Sequence, residues 1–133
     1  MFGALGGNFV KTMLRLGANR DQLAIVSDQW GGPTSAVGIA GAIAAIIGVV
    51  TDRDAGGEGL SHLWGTYNFS GEPHVNWAQF AQAIVSEAVS IGLISSEPVI
   101  ASITTEQYPT PAKRPFNSRL SNQKIADVFG VQP

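Results

Sequence analysis

Residues Tyr108–Leu120 read YPTPAKRPFNSRL and combine three prolines with three basic residues in a short stretch. Proline fixes φ and lacks a backbone donor, so the stretch is predicted to be neither a helix interior nor a central strand. We interpret it as an ordered, extended loop. Lys113, Arg114 and Arg119 lie close together there, and guanidinium groups match phosphate oxygens in a fork. The loop is therefore a candidate anion site, although a proline-rich connector with solvated charges fits the same residues.

The composition fits a single domain whose surface is partly covered by a partner or by the rest of a larger protein. The chain has 133 residues, of which 44% are hydrophobic and 14% charged, well below the roughly 25% charged residues of a typical soluble domain. Either much of the surface faces a partner or the chain is a piece of a larger protein. The net charge of −2 gives no indication of nucleic-acid binding. The absence of cysteine excludes disulfides and thiol catalysis and is typical of a cytoplasmic protein.

The longest apolar run is Ala36–Val50, which contains only small and aliphatic residues. It is shorter than the ~20 residues needed to span a bilayer, so we expect no membrane association. We predict a helix that is buried on nearly all sides. The N-terminal sequence lacks the basic and then apolar pattern of a signal peptide.

Spacing, caps and turn residues predict alternating helices and strands. The predicted helices are Phe9–Leu16 capped by Asn8, Ser35–Val50, Trp77–Ile91 capped by Asn76, and Asn122–Phe129 between Ser121 and Gly130. The predicted strands are Leu23–Ser27, Gly65–Ser70 and Val99–Ile103, and Thr51–Ser61 is predicted to be a flexible loop.

This alternation favours an α/β fold with a small mixed sheet and about four helices. Three short strands make a thin sheet for four helices. The pattern therefore indicates a partial domain whose main sheet is missing, and we see no linker that divides residues 1–133 into two domains.

Catalytic and metal-binding patterns are missing from the sequence. His62 and His74 have no metal-ligand partner at helical or turn spacing. The glycines of Gly3–Gly7 lack the G-x-G-x-x-G spacing of a dinucleotide fingerprint. Neither tyrosine is followed four positions later by a lysine, the pair that would support proton transfer. We therefore predict no catalytic residue and no metal ligand in this chain.

The loop Asp28–Thr34, between a predicted strand and a predicted helix, is a second candidate binding segment. Ligands of open α/β sheets bind beyond the carboxyl ends of the strands, and a helix start offers free N–H groups to an anion. Gln29 and Thr34 provide hydrogen-bonding groups. A plain turn with Thr34 or Ser35 as N-cap explains the segment equally well.

Several blocks, in order along nearly the whole chain, together resemble the C-terminal part of the dTDP-4-dehydrorhamnose reductase family. Each block is weak alone, but the combination is specific. The blocks are NFVKTMLRL at 8–16, Asp28-Gln29 with Gly31 and Pro33-Thr34, Gly65-Thr66-Tyr67, YPTPAKRP at 108–115, and Asn117-Ser118 with Leu120.

The resemblance implies a partial Rossmann-like reductase fold in which residues 1–133 form the C-terminal substrate-binding domain. The parent would reduce the C4 keto group of dTDP-4-dehydro-L-rhamnose with NADPH, in the last step to dTDP-L-rhamnose. The family's N-terminal half carries the cofactor motif and the catalytic Tyr-x-x-x-Lys. We therefore expect this chain alone to be inactive and to bind no cofactor.

Carried over by position, the family's two substrate loops fall on residues of both candidate segments. The implied substrate-binding residues are Gln29, Pro33, Thr34, Lys113, Arg114, Asn117 and Ser118, with Pro115 in the same motif. Trp30 stands where the family usually has a smaller residue, and Lys113 replaces a frequent arginine. The glutamates of a metal-bridged dimer have no counterpart that we can place.

Two other interpretations remain open. The chain could belong to a non-catalytic binding or regulatory subunit that kept the reductase fold, or be a small self-standing α/β interaction module. The expected partners are a dTDP-sugar and the missing N-terminal cofactor domain. Because that domain's contact face would be uncovered, homo-oligomers of the isolated chain are also expected.

Overall fold

The computed structural model describes residues 1–57 and 59–133. Within these ranges it contains four α-helices and four short strands in two small sheets, which confirms the predicted α/β class. The helices are α1 (Phe9–Gly17), α2 (Ala36–Ala55), α3 (Trp77–Ser90) and α4 (Gln123–Phe129). The strands are β1 (Gln22–Val26), β2 (Trp30–Gly31), β3 (Val75–Asn76) and β4 (Val99–Ile103).

Capping residues set the helix boundaries that were predicted most accurately from the sequence. Asn8 accepts a hydrogen bond from the Lys11 N–H at the start of α1 (3.1 Å). Asn76 accepts one from the Gln79 N–H at the start of α3 (2.8 Å), and the Gln79 side chain accepts one from the Asn76 N–H (3.1 Å), which completes a capping box. Gly130 ends α4 with a φ of 67°, which glycine adopts without strain. These predicted boundaries are confirmed.

The main core lies between the β1–β4 sheet and the helices α1 and α3. β1 and β4 pair in parallel, and both helices pack against β1. Full burial of one aliphatic side chain stabilises a fold by about 1.5–3 kcal/mol, so each large buried side chain of this layer contributes on that order. Two adjoining clusters form it, with the buried residues Met13, Leu23, Ala81 and Ile84 in one and Val85, Ala88 and Ile94 in the other.

The helix α2 departs most from its prediction. We expected burial on nearly all sides, but Ala42 is the only buried residue among the 20 in the helix. Apolar side chains such as Val37, Ile43 and Ile47 are exposed. The prediction was wrong because an apolar composition shows what a helix can bury and not which elements are present to cover it.

The helix α2 is also longer than predicted. The first five residues of Thr51–Ser61, predicted to be a flexible loop, continue the helix to Ala55, and Glu58 of that segment lies outside the described residues. With 20 residues, α2 is long and apolar enough to cross a membrane, so the length argument against a span no longer holds. One such helix is weak evidence for a membrane span, because core helices can share its length and composition.

A second, smaller core covers one side of α2. Tyr67 meets the ring of Phe129 edge-on, with ring centroids 4.9 Å apart, and its hydroxyl donates a hydrogen bond to the Leu63 carbonyl (2.9 Å). The Tyr67–Phe129 contact joins the segment between α2 and β3 to α4. The buried members of this core are Ala42, Leu63, Ile125, Phe129 and Val131.

The segment Gly65–Ser70 is not the strand that was predicted. A side chain replaces the neighbouring strand: Asn122 accepts a hydrogen bond from the Ser70 N–H (2.9 Å) and donates one to the Ser70 carbonyl (2.8 Å). Alternating side chains predict a strand only where a second strand is available to pair. The start of α4 agrees with the predicted cap, because Ser121 Oγ accepts a hydrogen bond from the Gln123 N–H (3.2 Å), whereas the Asn122 side chain makes no capping bond.

Candidate functional site

A cavity of about 290 Å³ opens where the first residues of α1 and α3 meet the loop after β1 and the proline-rich loop. Its volume is close to the lower end of the ~300–1,000 Å³ typical of ligand pockets. Six of its lining residues are aromatic, namely Phe2, Phe9, Trp30, Phe69, Trp77 and Phe80. The cavity therefore offers flat apolar surfaces together with a few polar groups.

Four of these aromatic side chains form one continuous wall. Phe9 packs against Trp77 with ring centroids 4.7 Å apart, and it stacks on Phe80 at 5.6 Å with an interplanar angle of 18°. Phe2 extends the wall to Phe80, also at 5.6 Å. Aromatic pairs at these separations stabilise each other beyond simple burial, so the wall is a preorganised surface.

Trp30 joins the loop after β1 to the proline-rich loop. Its backbone N–H donates a hydrogen bond to the Phe116 carbonyl (2.8 Å), and its carbonyl accepts one from the Ser118 N–H (2.8 Å). The Arg119 guanidinium lies 5.7 Å from the Trp30 ring centroid, within cation–π distance. These contacts hold the end of the proline-rich stretch, Phe116–Arg119, along one side of the cavity.

A hydrogen-bonded chain runs from the end of β4 to the aromatic wall. The Asp28 carboxylate accepts bonds from the Thr105 hydroxyl (2.6 Å) and the Thr105 N–H (2.9 Å). The Thr105 hydroxyl oxygen accepts one from Gln29 Nε2 (3.0 Å), and Gln29 Oε1 accepts one from Trp77 Nε1 (3.3 Å). The Thr105 donors stabilise the carboxylate and lower the pKa of Asp28. This run of hydrogen bonds fixes the orientation of the Gln29 amide at the cavity.

Two glycines let the loop after β1 approach the segment Ser70–Gly71 backbone to backbone. A Cβ on Gly32 would lie 2.1 Å from Ser70 Oγ, and one on Gly71 would lie 1.8 Å from the Pro33 carbonyl oxygen. The Thr34 hydroxyl accepts a bond from the Gly71 N–H (2.9 Å) and donates one to the Gly32 carbonyl (2.9 Å). The Thr34 side chain is thus engaged in holding the two segments together.

The start of α2 is largely occupied by bonds within the chain. Ser35 is the N-cap and accepts a hydrogen bond from the Gly38 N–H (2.9 Å). The Ala36 N–H donates to the Phe2 carbonyl (2.7 Å). Of the two interpretations of this segment, the geometry favours a capped turn over a helix terminus that is open to an anion.

Five of the seven predicted binding residues line the cavity, and two do not. The five are Gln29, Pro33, Thr34, Arg114 and Ser118, and Pro115 lines it as well. Lys113 is exposed outside the lining. Asn117 lies next to the cavity, but its side-chain oxygen Oδ1 accepts bonds from Arg119 Nε (2.9 Å) and from the Arg119 N–H (3.1 Å). Asn117 therefore orders the proline-rich loop in this structure.

The aromatic wall was not predicted from the sequence. Phe9 and Trp77 each follow an N-cap asparagine directly, so both project from the first turn of a helix. That shared position was a usable signal. Phe2 carried no comparable signal, because its place depends on pairing with Ser35.

Among residues 1–57 and 59–133, no group of three or more His, Asp or Glu side chains is arranged to hold a metal ion. His62 lies near the end of α2, where Arg53 Nη1 and His62 Nε2 are 3.0 Å apart. His74 is partly buried, and its Nε2 has no hydrogen-bond partner within the described part of the chain.

Comparison with known proteins agrees with this arrangement of loops and helices. The family model described as the RmlD substrate-binding domain matches residues 1–133. The chain belongs to this family. The fold class and the resemblance drawn from the sequence are thereby confirmed.

Individual relatives resemble this chain in both sequence and structure. A dTDP-4-dehydrorhamnose reductase of Aggregatibacter actinomycetemcomitans is 48% identical over 132 residues, which cover 99% of this chain and 43% of that protein. The solved reductase of Bacillus anthracis in complex with NADP gives a TM-score of 0.72 at 30% identity, over 91% of this chain and 37% of that one. The reductase of Clostridium acetobutylicum gives 0.69 at 32% identity, over 94% and 38%. The chain thus spans less than half the length of these relatives.

Proposed function

We propose that this chain is the substrate-binding part of an NADPH-dependent reductase that converts dTDP-4-dehydro-L-rhamnose to dTDP-L-rhamnose. One observation carries the proposal. The cavity brings Gln29, Arg114 and Ser118 together with a preorganised aromatic wall, in a chain that belongs to the RmlD substrate-binding family.

The lining of the cavity suits a nucleotide sugar. Nucleobases stack on aromatic side chains, and the wall formed by Phe9, Trp77 and Phe80 provides such a surface. The Arg114 guanidinium can bind a diphosphate through paired charge-assisted hydrogen bonds. Gln29, held by Thr105 and Trp77, presents a fixed amide to the polar part of the ligand.

The chemistry of the hydride transfer belongs to the rest of the parent protein in this proposal. This chain has neither a Tyr-x-x-x-Lys pair nor a G-x-G-x-x-G motif. The chain alone is therefore expected to bind no NADPH and to show no NADPH oxidation with the sugar substrate, and measurable turnover would contradict this. For a parent with this biosynthetic role we propose a cytoplasmic location.

The proposal is tested by calorimetric titration of the chain with dTDP and, separately, with NADPH. We expect saturable binding of dTDP and none of NADPH. Arg114→Ala should weaken dTDP binding by about 10- to 100-fold, since a hydrogen bond to a charged group contributes about 1.5–3 kcal/mol. Lys113→Ala is the matched control, because this neighbouring cation is exposed outside the cavity lining. It should change affinity less than about threefold, as exposed charges contribute little.

Equal losses in the two variants would show that general charge, and not the cavity, attracts the nucleotide. Binding of dTDP that neither variant affects would place the ligand elsewhere. If a full-length parent lacks the catalytic tyrosine and lysine yet binds dTDP, the chain belongs to a non-catalytic subunit that kept the reductase fold.

A further inference from the structure

We propose that Asp28 and Thr105 are positioning residues that hold the Gln29 amide in one orientation, and that this amide reads the N3–H and C4=O edge of a thymine or uracil base. The inference rests on the proposed function, in which the cavity binds a nucleotide sugar. It goes further by assigning the group that selects the base and the residues that orient this group.

The parallel pairing of β1 and β4 brings the two positioning residues together. Its register places Val26 beside Ile103 in the last pair of the two strands. Asp28 and Thr105 each follow two residues later, at the carboxyl ends where ligands of open α/β sheets bind. They are not among the described residues that line the cavity, so they act on a ligand through a neighbour, and that neighbour is Gln29.

The donors and acceptors along this run of hydrogen bonds allow one orientation of the amide. The Asp28 carboxylate, whose pKa the Thr105 donors lower, is ionised near neutral pH and only accepts. The Thr105 hydroxyl therefore donates to Asp28 (2.6 Å), and its oxygen accepts from Gln29 Nε2 (3.0 Å). At the other end, the Trp77 indole N–H only donates, and it faces Gln29 Oε1 (3.3 Å). A reversed amide would set oxygen against oxygen and N–H against N–H.

The same bonds leave half of the Gln29 amide for a ligand. A glutamine amide has two N–H donors and two acceptor lone pairs. Within the described part of the chain, Thr105 accepts from one N–H and Trp77 donates to one lone pair, which leaves one donor and one acceptor. This pair matches a ligand edge on which a C=O lies beside an N–H. Thymine and uracil have such an edge, whereas cytosine has an acceptor at N3 and an amino donor at C4.

The aromatic wall brings a base within reach of this amide. Trp77 belongs to the wall, is 38% exposed, and donates its indole N–H to Gln29. A base that stacks on the Trp77 ring therefore lies beside Gln29. Arg114 lines the same cavity and is available to the diphosphate. In this pose the N3 of a cytosine would face the amide oxygen, acceptor against acceptor, and binding would weaken.

Calorimetric titration with dUDP and dCDP tests the reading of the base, because these two nucleotides differ only at N3 and C4 of the ring. We expect dTDP and dUDP to bind, and dCDP to bind about tenfold or more weakly, in the range of amide–base pairs. Gln29→Met keeps the length of the side chain and loses the amide. In this variant the affinities for dUDP and dCDP should agree within about twofold, because the discriminating group is gone.

Thr105→Val tests the positioning by removing the hydroxyl that orients the amide. The preference for dUDP over dCDP should fall to about threefold or less, since the remaining bond to Trp77 is long and lets the amide turn. Asp28→Asn should lower the preference too, because an amide at position 28 can donate to the Thr105 hydroxyl. Thr105→Ser keeps the hydroxyl and should restore the preference. Thr104→Val is the matched control, because Thr104 is an exposed neighbour outside this run of hydrogen bonds.

A measurement without nucleotide tests the positioning separately. NMR follows hydrogen exchange of the Trp77 indole N–H, whose signal is identified among three tryptophans by its loss in Trp77→Phe. Exchange should be faster in Thr105→Val than in the wild type, because a mobile Gln29 amide protects the indole less. It should be unchanged in Thr104→Val. A general loss of affinity would affect dUDP and dCDP alike, so their ratio reports the orientation of the amide.

The possible failures are distinguishable. Equal affinities for dUDP and dCDP, or binding of dTDP without binding of dUDP, would overturn the reading of the base and leave the proposed function intact. A full preference for dUDP in Thr105→Val, or indole exchange that this change does not affect, would overturn the positioning. Binding of none of the nucleotides would overturn the proposed function for this chain and the reading of the base with it, while indole exchange still decides the positioning.

Discussion

The helices α2 and α3 are both apolar, but only α3 is buried in proportion to its composition. In α3, five of 14 residues are buried and a capping box closes its first turn. In α2, one of 20 is buried. The difference shows that a hydrophobic sequence gives a helix the capacity to pack, while its neighbours in the fold decide whether it does.

The largest difference between α2 and α3 should appear when one isoleucine in each helix is replaced by alanine. Ile84→Ala in α3 removes a side chain that is only 9% exposed, and should lower the free energy of unfolding by about 2–4 kcal/mol. Ile47→Ala in α2 should change it by less than about 0.5 kcal/mol, as for other exposed positions. Urea unfolding of both variants measures the difference. Similar losses would show that α2 is covered in solution.

The N-caps of the two helices give a smaller contrast. Asn76→Ala breaks the capping box of α3 and should cost about 1–2 kcal/mol, whereas Ser35→Ala removes a single bond and should cost about 0.5–1 kcal/mol. Thermal unfolding followed by circular dichroism compares them. A larger loss at Ser35 would mean that the start of α2 is more important to the fold than its burial indicates.

Gly48→Ala should stabilise the isolated chain by about 0.5–1 kcal/mol, because alanine is the better helix former. The new methyl group meets nothing within 4 Å. The same measurement on Gly38→Ala serves as a control, since that Cβ would press on the Ser35 hydroxyl. A destabilised Gly48→Ala chain would reveal a contact that already fills this space.

The smallest effect is expected at Asp28, where the packed layer meets the cavity. Hydrogen bonds from Thr105 lower its pKa below the ordinary value of 3.8, so its contribution to stability is present above pH 3.8 and is lost as the pH falls through the lowered pKa. The urea midpoint of Asp28→Asn should therefore lie below that of the wild type near neutral pH, and the gap should close at low pH. Thr105→Val should show the same closing gap, and a gap independent of pH would assign the effect to packing.

The parts of the fold that could be predicted from the sequence depend on local contacts. Asn8, Asn76 and Gly130 act on backbone groups within a few residues, so their positions alone located the helix ends. The burial of α2 and the non-strand conformation of Gly65–Ser70 depend on partners elsewhere. For the latter the partner is Asn122, which lies 52 residues from Ser70, a separation that no local pattern encodes.

The candidate site likewise has features that could be predicted from the sequence and features that could not. Gln29, Arg114 and Ser118, which the motifs of the two loops suggested as binding residues, line one cavity. The same motifs also suggested Asn117, whose side chain is engaged with Arg119 instead. A motif locates a loop well, but which of its side chains face the cavity depends on how the loop is held, here by the backbone bonds of Trp30.

The parallel pairing of β1 and β4 also constrains the order of assembly. Ser27, which follows β1, bonds to the carbonyl of Ile103 at the end of β4, 76 positions further along the chain. Closing so long a loop has an entropic cost that must be met before the pairing itself can stabilise anything, and contacts of this range slow folding. During synthesis, β1 therefore remains unpaired with β4 until residues 99–103 have left the ribosome. Until α3 emerges, α1 is the only helix of the main core that can shield β1.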